Sequence, residues 1–203
     1  MQVNDFDRQR LINFYGSALK KYGSRSPQAF HWISQTDQTL RFEILSEIGN
    51  LENCSILDVG CGVGDLYDFL RSRLGGFAYL GIDIVPEMIG QAKQKYPTAD
   101  FLNEDIFNVA GEFDYLLASG SLTFNVGEGR SFYYQMIRHM YYLAKRGVGF
   151  NMLDAALYHS DQNYLVYNKQ EVARFCESLA DNYKIVTGYE TGDFTVFLYK
   201  RNI

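Results

Sequence analysis

The segment Ser55 to Gly64, SILDVGCGVG, restricts the possible folds of this chain more than any other stretch. Ser55 to Val59 is a short apolar run that ends in a turn carrying Gly60, Gly62 and Gly64. Asp65 to Leu74 then reads as a helix, with Leu66, Phe69, Leu70 and Leu74 on one face. A strand that stops in glycines and resumes as a helix is the opening unit of an open α/β sheet. Glycines at such a turn permit a tight backbone and let a ligand lie against it. The N–H groups at the helix start suit an anionic group such as a carboxylate. The spacing also excludes a ligand class. A dinucleotide loop, G-x-G-x-x-G, would need its last glycine at Asp65 if counted from Gly60, or at Tyr67 if counted from Gly62. An acidic Asp65 would in addition repel a pyrophosphate.

The rest of the chain repeats the alternation. Phe77 to Ile84 reads as a second strand, and Pro86 opens a helix carrying Met88, Ile89 and Ala92 that ends near Pro97. Ala99 to Leu102, Tyr115 to Ala118 and Gly147 to Leu153 read as strands three to five. Gly129 to Ala144 is a long helix, with Phe132, Tyr133, Met136, Ile137, Met140 and Tyr141 at helical spacing. Asn168 with Glu171 marks the start of a helix through Val172, Phe175, Cys176 and Leu179. Tyr183 to Glu190 and Phe194 to Lys200 are strand-like and joined by Thr191-Gly192-Asp193, which fits a hairpin and is too short for a crossover helix. The predicted fold is α/β: a doubly wound, mostly parallel, seven-stranded sheet closed by an antiparallel C-terminal hairpin strand. Ahead of this core (residues 51–203), residues 1–50 differ in character. Phe6 to Lys20 and Thr36 to Ile48 read as amphipathic helices flanking an irregular stretch around Ser24 to Pro27, and are expected to form a lid segment over the front of the sheet. With 203 residues, 47% of them hydrophobic, the whole chain is expected to be one domain.

Two more strand ends carry carboxylates. Asp83 closes the second strand about twenty residues after the glycine loop, where a carboxylate accepts hydrogen bonds from ribose hydroxyls. Asp105 follows the third strand in Asn103-Glu104-Asp105-Ile106-Phe107, placed to accept from an adenine amino group with Ile106 against the ring. Each has a plainer reading. Asp58 could cap the turn, Asp83 could cap the helix at Pro86, and Asp105 could be an ordinary loop acid. All the plain readings must hold together to remove the ligand.

The ordered set Asp58-Val-Gly-Cys-Gly-Val-Gly, Gly81-Ile-Asp83 and Glu104-Asp105-Ile106 resembles the motifs of the class I S-adenosylmethionine-dependent methyltransferases, over roughly Ile44 to Ile203. The resemblance implies a Rossmann-like methyltransferase fold with S-adenosylmethionine as cofactor. It places Gly60, Cys61, Gly62 and Gly64 along the methionine end and Asp58 on its ammonium. Asp83 would hold the ribose with Ile84 beside the adenine, Asp105 and Ile106 would hold adenine, and Ser119 would offer its backbone carbonyl to the amino group. Arg41, on the helix before the first strand, is expected to reach the methionine carboxylate.

The acceptor is less legible. Tyr15, Tyr22, His31, Trp32, Phe124, Tyr158 and His159 lie in the front helices or after strands four and five, where the acceptor pocket should open. None of them is assigned as a catalytic base. Cys61 reads as a small loop residue, and the Phe132 to Tyr141 face as core packing. Ala118-Ser119-Gly120-Ser121-Leu122 lacks the Asn/Asp-Pro-Pro-Tyr motif of enzymes that methylate planar amino groups in DNA or glutamine, and no Pro-Cys pair supports cytosine-C5 chemistry. Only Asp154 stands where catechol-type enzymes hold a metal, and Ser119 replaces their first ligand, so no metal is expected. The net charge of -5, with basic residues scattered, disfavours binding to a nucleic-acid backbone. A small-molecule acceptor is therefore expected. The alternatives are a cofactor-binding protein without transfer activity and an RNA methyltransferase. Three cysteines without C-x-x-C spacing, no secretory signal and no membrane-length apolar run point to a cytoplasmic protein with reduced thiols.

Overall fold

A computed structural model describes residues 3–23, 34–189 and 192–201. Among the described residues, two helices precede the sheet. α1 (Asp5–Tyr22) starts at Asn4, whose side chain accepts from the Asp7 amide. α2 (Gln35–Ser46) starts at Ser34, which accepts from the Asp37 amide. Both caps satisfy amides that the first helical turn leaves without backbone partners. The core then alternates: β1 (Ser55–Val59), α3 (Asp65–Arg71), β2 (Ala78–Asp83), α4 (Pro86–Lys95), β3 (Asp100–Asn103), β4 (Phe113–Ala118), α5 (Arg130–Leu143), β5 (Ala144–Leu153), α6 (Lys169–Leu179), β6 (Asn182–Val186) and β7 (Asp193–Tyr199).

The seven strands lie in the order β3-β2-β1-β4-β5-β7-β6. β1 pairs in parallel with β2 and β4, β2 with β3, and β4 with β5. β7 inserts antiparallel between β5 and β6. This is the expected doubly wound sheet with its antiparallel closing strand. Two details differ from the sequence-based reading. β5 begins at Ala144, directly at the C-cap of α5, rather than at Gly147. β6 ends at Val186, so its connection to β7 spans residues 187–192 rather than a tight three-residue turn.

The sheet is covered on both faces, which explains why its central strands read as continuous apolar runs rather than alternating ones. One face packs Leu57, Val59, Leu116 and Val148 against Ile137 and Met140 of α5 and Val172 and Cys176 of α6. The other packs Ile56, Leu117 and Phe197 against Leu45 of α2, Leu66 and Leu70 of α3, and Ile89 and Ala92 of α4. Strand order reverses between β1 and β4, and the crevice at their carboxyl ends is where open α/β sheets bind ligands. Among the described residues, no helix is long and apolar enough to cross a membrane.

Candidate functional site

A cleft opens at the carboxyl ends of β1, β2, β3 and β4. Its floor comes from Asp58 to Val63, Ile82 to Val85, Glu104 to Ile106 and Ser119 to Ser121. Val3, Leu11 and Tyr15 from the α1 segment and Gln38 and Phe42 from α2 cover one side. Phe124, with Phe132, Tyr133 and Met136 of α5, forms an apolar wall.

The glycine turn is built into this floor. The Gly60 and Cys61 amides both donate to the Ile82 carbonyl, at 2.8 and 2.9 Å, which ties the turn to the end of β2. Gly60 has φ +77°, and a Cβ there would lie 2.3 Å from the Ser121 Cβ, so no side chain fits. Gly62 has φ +55°, and a Cβ there would meet no protein atom within 4 Å. Gly60 is thus glycine for the sake of the fold, whereas Gly62 keeps open the space that a ligand would use. Gly64, expected along the ligand, is turned away from the cleft. A Cβ on it would strike Phe101 at 2.8 Å, so its small size serves the packing of α3 on β3. α3 has only seven residues and carries Asp65 and Asp68 in its first turn, so its N-terminus already has anions beside it.

Three carboxylates converge on the floor, Asp58 and Asp105 buried and Asp83 half-buried. Asp58, 2% exposed, accepts from the Tyr79 hydroxyl at 2.7 Å. Burial pushes its carboxyl up to about 7; the Tyr79 bond opposes this, and nearby Asp83 and Asp65 add to it. Asp83 accepts from the Gly62 amide through one oxygen and the Val85 amide through the other, each at 2.9 Å. Burial raises its carboxyl too, against those amide bonds. A carboxylate has about four lone-pair sites, so Asp83 keeps about two for a ligand. Asp105 accepts from the Phe107 amide at 3.1 Å and the Val3 amide at 3.4 Å. Asp105 is thus the cap of a short turn rather than an ordinary loop acid, and Asp83 does not cap the α4 helix, whose N-cap residue is Val85 with no side-chain cap. The Ser119 hydroxyl is buried with no hydrogen-bond partner. Burial beside Asp58 and Asp83 pushes the Cys61 thiol well up, which keeps it protonated and unreactive.

Of the residues singled out from sequence, Asp58, Gly60, Cys61, Gly62, Asp83, Ile84, Asp105, Ile106, Ser119, Tyr15 and Phe124 all line this cleft. Arg41, Gly64, Tyr22, Tyr158 and His159 do not; His31 and Trp32 lie outside the described residues. Tyr22 ends α1, 44% exposed, with Lys21 over its ring. Tyr158 lies against the backbone of Gly192, and His159 is exposed. Arg41 is buried at the start of β7 in an ion pair with Asp193, and so is committed away from the cleft. Removing one partner of a buried pair strands the other. Arg41→Met is accordingly expected to cost about 3–5 kcal/mol of stability in denaturant unfolding, with cofactor affinity in the folded fraction unchanged. The sequence reading missed Gln38, Ser121, Phe132, Tyr133 and Met136 as cleft residues. Only the small-residue run Gly120-Ser121 after β4 signalled any of them. Among the described residues, no group of three or more His, Cys, Asp or Glu is arranged to hold a metal ion, and Asp154 is paired with Lys169 at 2.5 Å.

Comparisons with known proteins agree with this architecture. Residues 56–147 match the sequence family described as a methyltransferase domain. The chain is 31% identical over 150 residues to a magnesium-protoporphyrin O-methyltransferase of Synechocystis, covering 70% of this chain and 60% of that protein. It is 35% identical over 82 residues to a trans-aconitate 2-methyltransferase of Klebsiella pneumoniae, covering 39% of this chain and 32% of that protein. The chain thus spans less than two thirds of either relative. The crystal structure of the Synechocystis enzyme with bound SAM superimposes over 96% of this chain and 90% of its own, with a TM-score of 0.64 at 20% identity. That of the N-methyltransferase NodS from Bradyrhizobium japonicum does so over 94% and 100%, with a TM-score of 0.67 at 17% identity. Residues 56–147 thus match a methyltransferase domain, and the strand order and the glycine turn are similar to those of the class I S-adenosylmethionine-dependent methyltransferases.

Proposed function

We propose that this protein transfers a methyl group from S-adenosylmethionine to a small-molecule acceptor. The observation that carries the reading is the charge of the cleft. Asp58, Asp65, Asp83, Glu104 and Asp105 line it, and no Lys, Arg or His does so among the described residues. Such a lining attracts cations and repels pyrophosphate. S-Adenosylmethionine carries a sulfonium and an ammonium against one carboxylate, so it fits where a dinucleotide does not. The open space at Gly62 and the available lone pairs of Asp83 fit it as well.

When bound, this cofactor supplies an electrophilic methyl group on sulfur. The chain's own residues bind and orient. Asp58 holds the ammonium, Asp83 the ribose hydroxyls, and Asp105 the adenine amino group between Ile84 and Ile106. The Ser119 carbonyl gives the ammonium a second acceptor. The α1 segment and α2 act as a lid: Val3, Leu11 and Tyr15 stand over the cleft with Gln38 and Phe42, and covering it excludes water from the reacting centre.

Calorimetric titration with S-adenosylmethionine and with NAD(H) tests the cofactor assignment. Tight binding of the first alone is expected; the absence of S-adenosylmethionine binding by folded protein refutes the reading. Release of S-adenosylhomocysteine across a broad acceptor panel then separates a transferase from a binding protein without transfer. Affinity should also follow the titration of Asp58. Its raised carboxyl must be ionised to hold the ammonium, so binding is expected to weaken as pH falls below about 7, by up to about tenfold per pH unit. Each complex formed near neutrality should release part of a proton, which titrations in buffers of different ionisation enthalpy detect. A flat profile between about pH 5.5 and pH 7 would remove Asp58 from the ammonium.

A further inference from the structure

The acceptor has to approach the methyl group from the apolar end of the cleft, because the floor is taken up by the cofactor. That end consists of Leu11, Tyr15, Phe124, Phe132, Tyr133 and Met136. The Tyr133 hydroxyl is already committed to the Phe124 carbonyl at 2.7 Å, so it presents no donor to a ligand.

The neighbouring cations are committed as well. Arg10 donates to the Asp7 carboxylate and to the Asn125 and Gln162 carbonyls, and its guanidinium stands over the outside of the Phe124 ring. Arg41 is buried with Asp193, and Lys95 is held by Asp65 at 2.6 Å. Arg8, half-buried on α1, acts on the Glu104 carboxylate. No cationic side chain of the described lining is placed to receive an anionic acceptor, and four carboxylates besides the Lys95-paired Asp65 oppose one. An alcohol or phenol acceptor would have to surrender a proton to a base during attack. His139 packs against Phe107 and His159 is exposed, and neither reaches the cleft; Asp58, Asp83 and Asp105 are taken by the cofactor in the proposed binding mode, Asp65 is held by Lys95, and Glu104 accepts from Asn108 and the Asp105 amide.

We infer that the acceptor is an amine carrying an apolar flank, methylated on nitrogen; this rests on the methyltransferase reading and narrows its substrate class. Having left its proton in solvent, the amine attacks with its lone pair. The N–C bond forms as the C–S bond breaks, and that electron pair returns to sulfur as the neutral thioether of S-adenosylhomocysteine. The positive charge passes from sulfur to nitrogen, and the ammonium product later yields a proton to solvent. The cleft therefore holds the same net charge before and after transfer. Its acidic floor and aromatic wall suit a cation throughout, and no protein base is required.

A matched pair separates the possibilities: 2-phenylethylamine and 3-phenylpropionate, which share a ring and a chain and differ in charge. With the protein saturated in S-adenosylhomocysteine, the amine is expected to bind at least about tenfold more tightly. With S-adenosylmethionine it alone is expected to release product. Leu11→Lys, which puts a cation in the apolar wall at a partly exposed position, is expected to narrow or reverse that preference. Equal binding, tighter binding of the carboxylate, or binding of neither overturns the inference. Calorimetry with S-adenosylmethionine alone keeps the two readings apart: cofactor binding without amine preference rejects only the acceptor, whereas no cofactor binding rejects the underlying function.

Discussion

Gly62→Val is expected to weaken S-adenosylmethionine binding by at least about 100-fold, or about 2.7 kcal/mol, while the protein still folds. An added Cβ at Gly62 meets no protein atom within 4 Å, and the residue lines the cleft, so the valine occupies the ligand's space rather than the core. The fold does bear a cost. Gly62 sits at φ +55°, and a side-chain-bearing residue in that region is strained by about 1–2 kcal/mol, more for a β-branched one. Gly60→Val is the informative contrast. There the Cβ would fall 2.3 Å from the Ser121 Cβ, so the main loss is expected in thermal stability, because the turn has to separate from the loop after β4. Calorimetry and melting temperature on both variants check the distinction. Native affinity in Gly62→Val would show that the loop faces no ligand.

The second large effect is expected at Asp58. Asp58→Asn keeps the shape of the side chain and an oxygen to accept from Tyr79, but removes the charge proposed to hold the ammonium. Loss of one member of a buried charged contact costs about 2–5 kcal/mol, so affinity should fall by about 30-fold or more. Stability should move the other way. Asp58 has its carboxyl raised from 3.8 to about 7 in the folded protein, so its ionisation opposes folding above that range. Below 3.8 both folded and unfolded chains are protonated and nothing is gained or lost. The stabilising effect of Asp58→Asn on the ligand-free protein is therefore expected to be absent near pH 4, to grow towards about pH 7 and then to level off. Denaturant unfolding across that range measures it. A variant that loses both stability and binding at neutral pH would mark Asp58 as structural.

Some of this was readable before any coordinates. Strand–glycine–helix periodicity is local, and so are the caps at Asn168 and Pro86, so the elements of the core emerged close to their observed bounds. The carboxylates at the ends of β1, β2 and β3 were readable because parallel strands bring successive carboxyl ends to one edge. The cleft walls were not. The α5 face of Phe132, Tyr133 and Met136 has the spacing of a core-packing stripe, and it does pack the core; that these first turns also border the cleft depends on where α5 starts after the loop that follows β4. Arg41 was misplaced for a similar reason. Helical spacing shows that it lies on α2, but its partner Asp193 is 152 residues away, and no local pattern carries that pairing.

Taken alone, the chain's sequence determined the class of sheet, the position of its ligand turn and the exclusion of a dinucleotide, all from spacings of a few residues. The tertiary structure decided the charge of the site. Carboxylates separated by tens of residues are gathered at one edge of the sheet, while Arg10 is paired with Asp7, Arg41 with Asp193, and Lys95 with Asp65 alone among them. Charge complementarity depends on distances in space, and a linear order of residues carries those distances only within one turn or strand. The glycine turn therefore identifies the kind of cofactor, and folding brings together the acidic floor and apolar wall that narrow the acceptor.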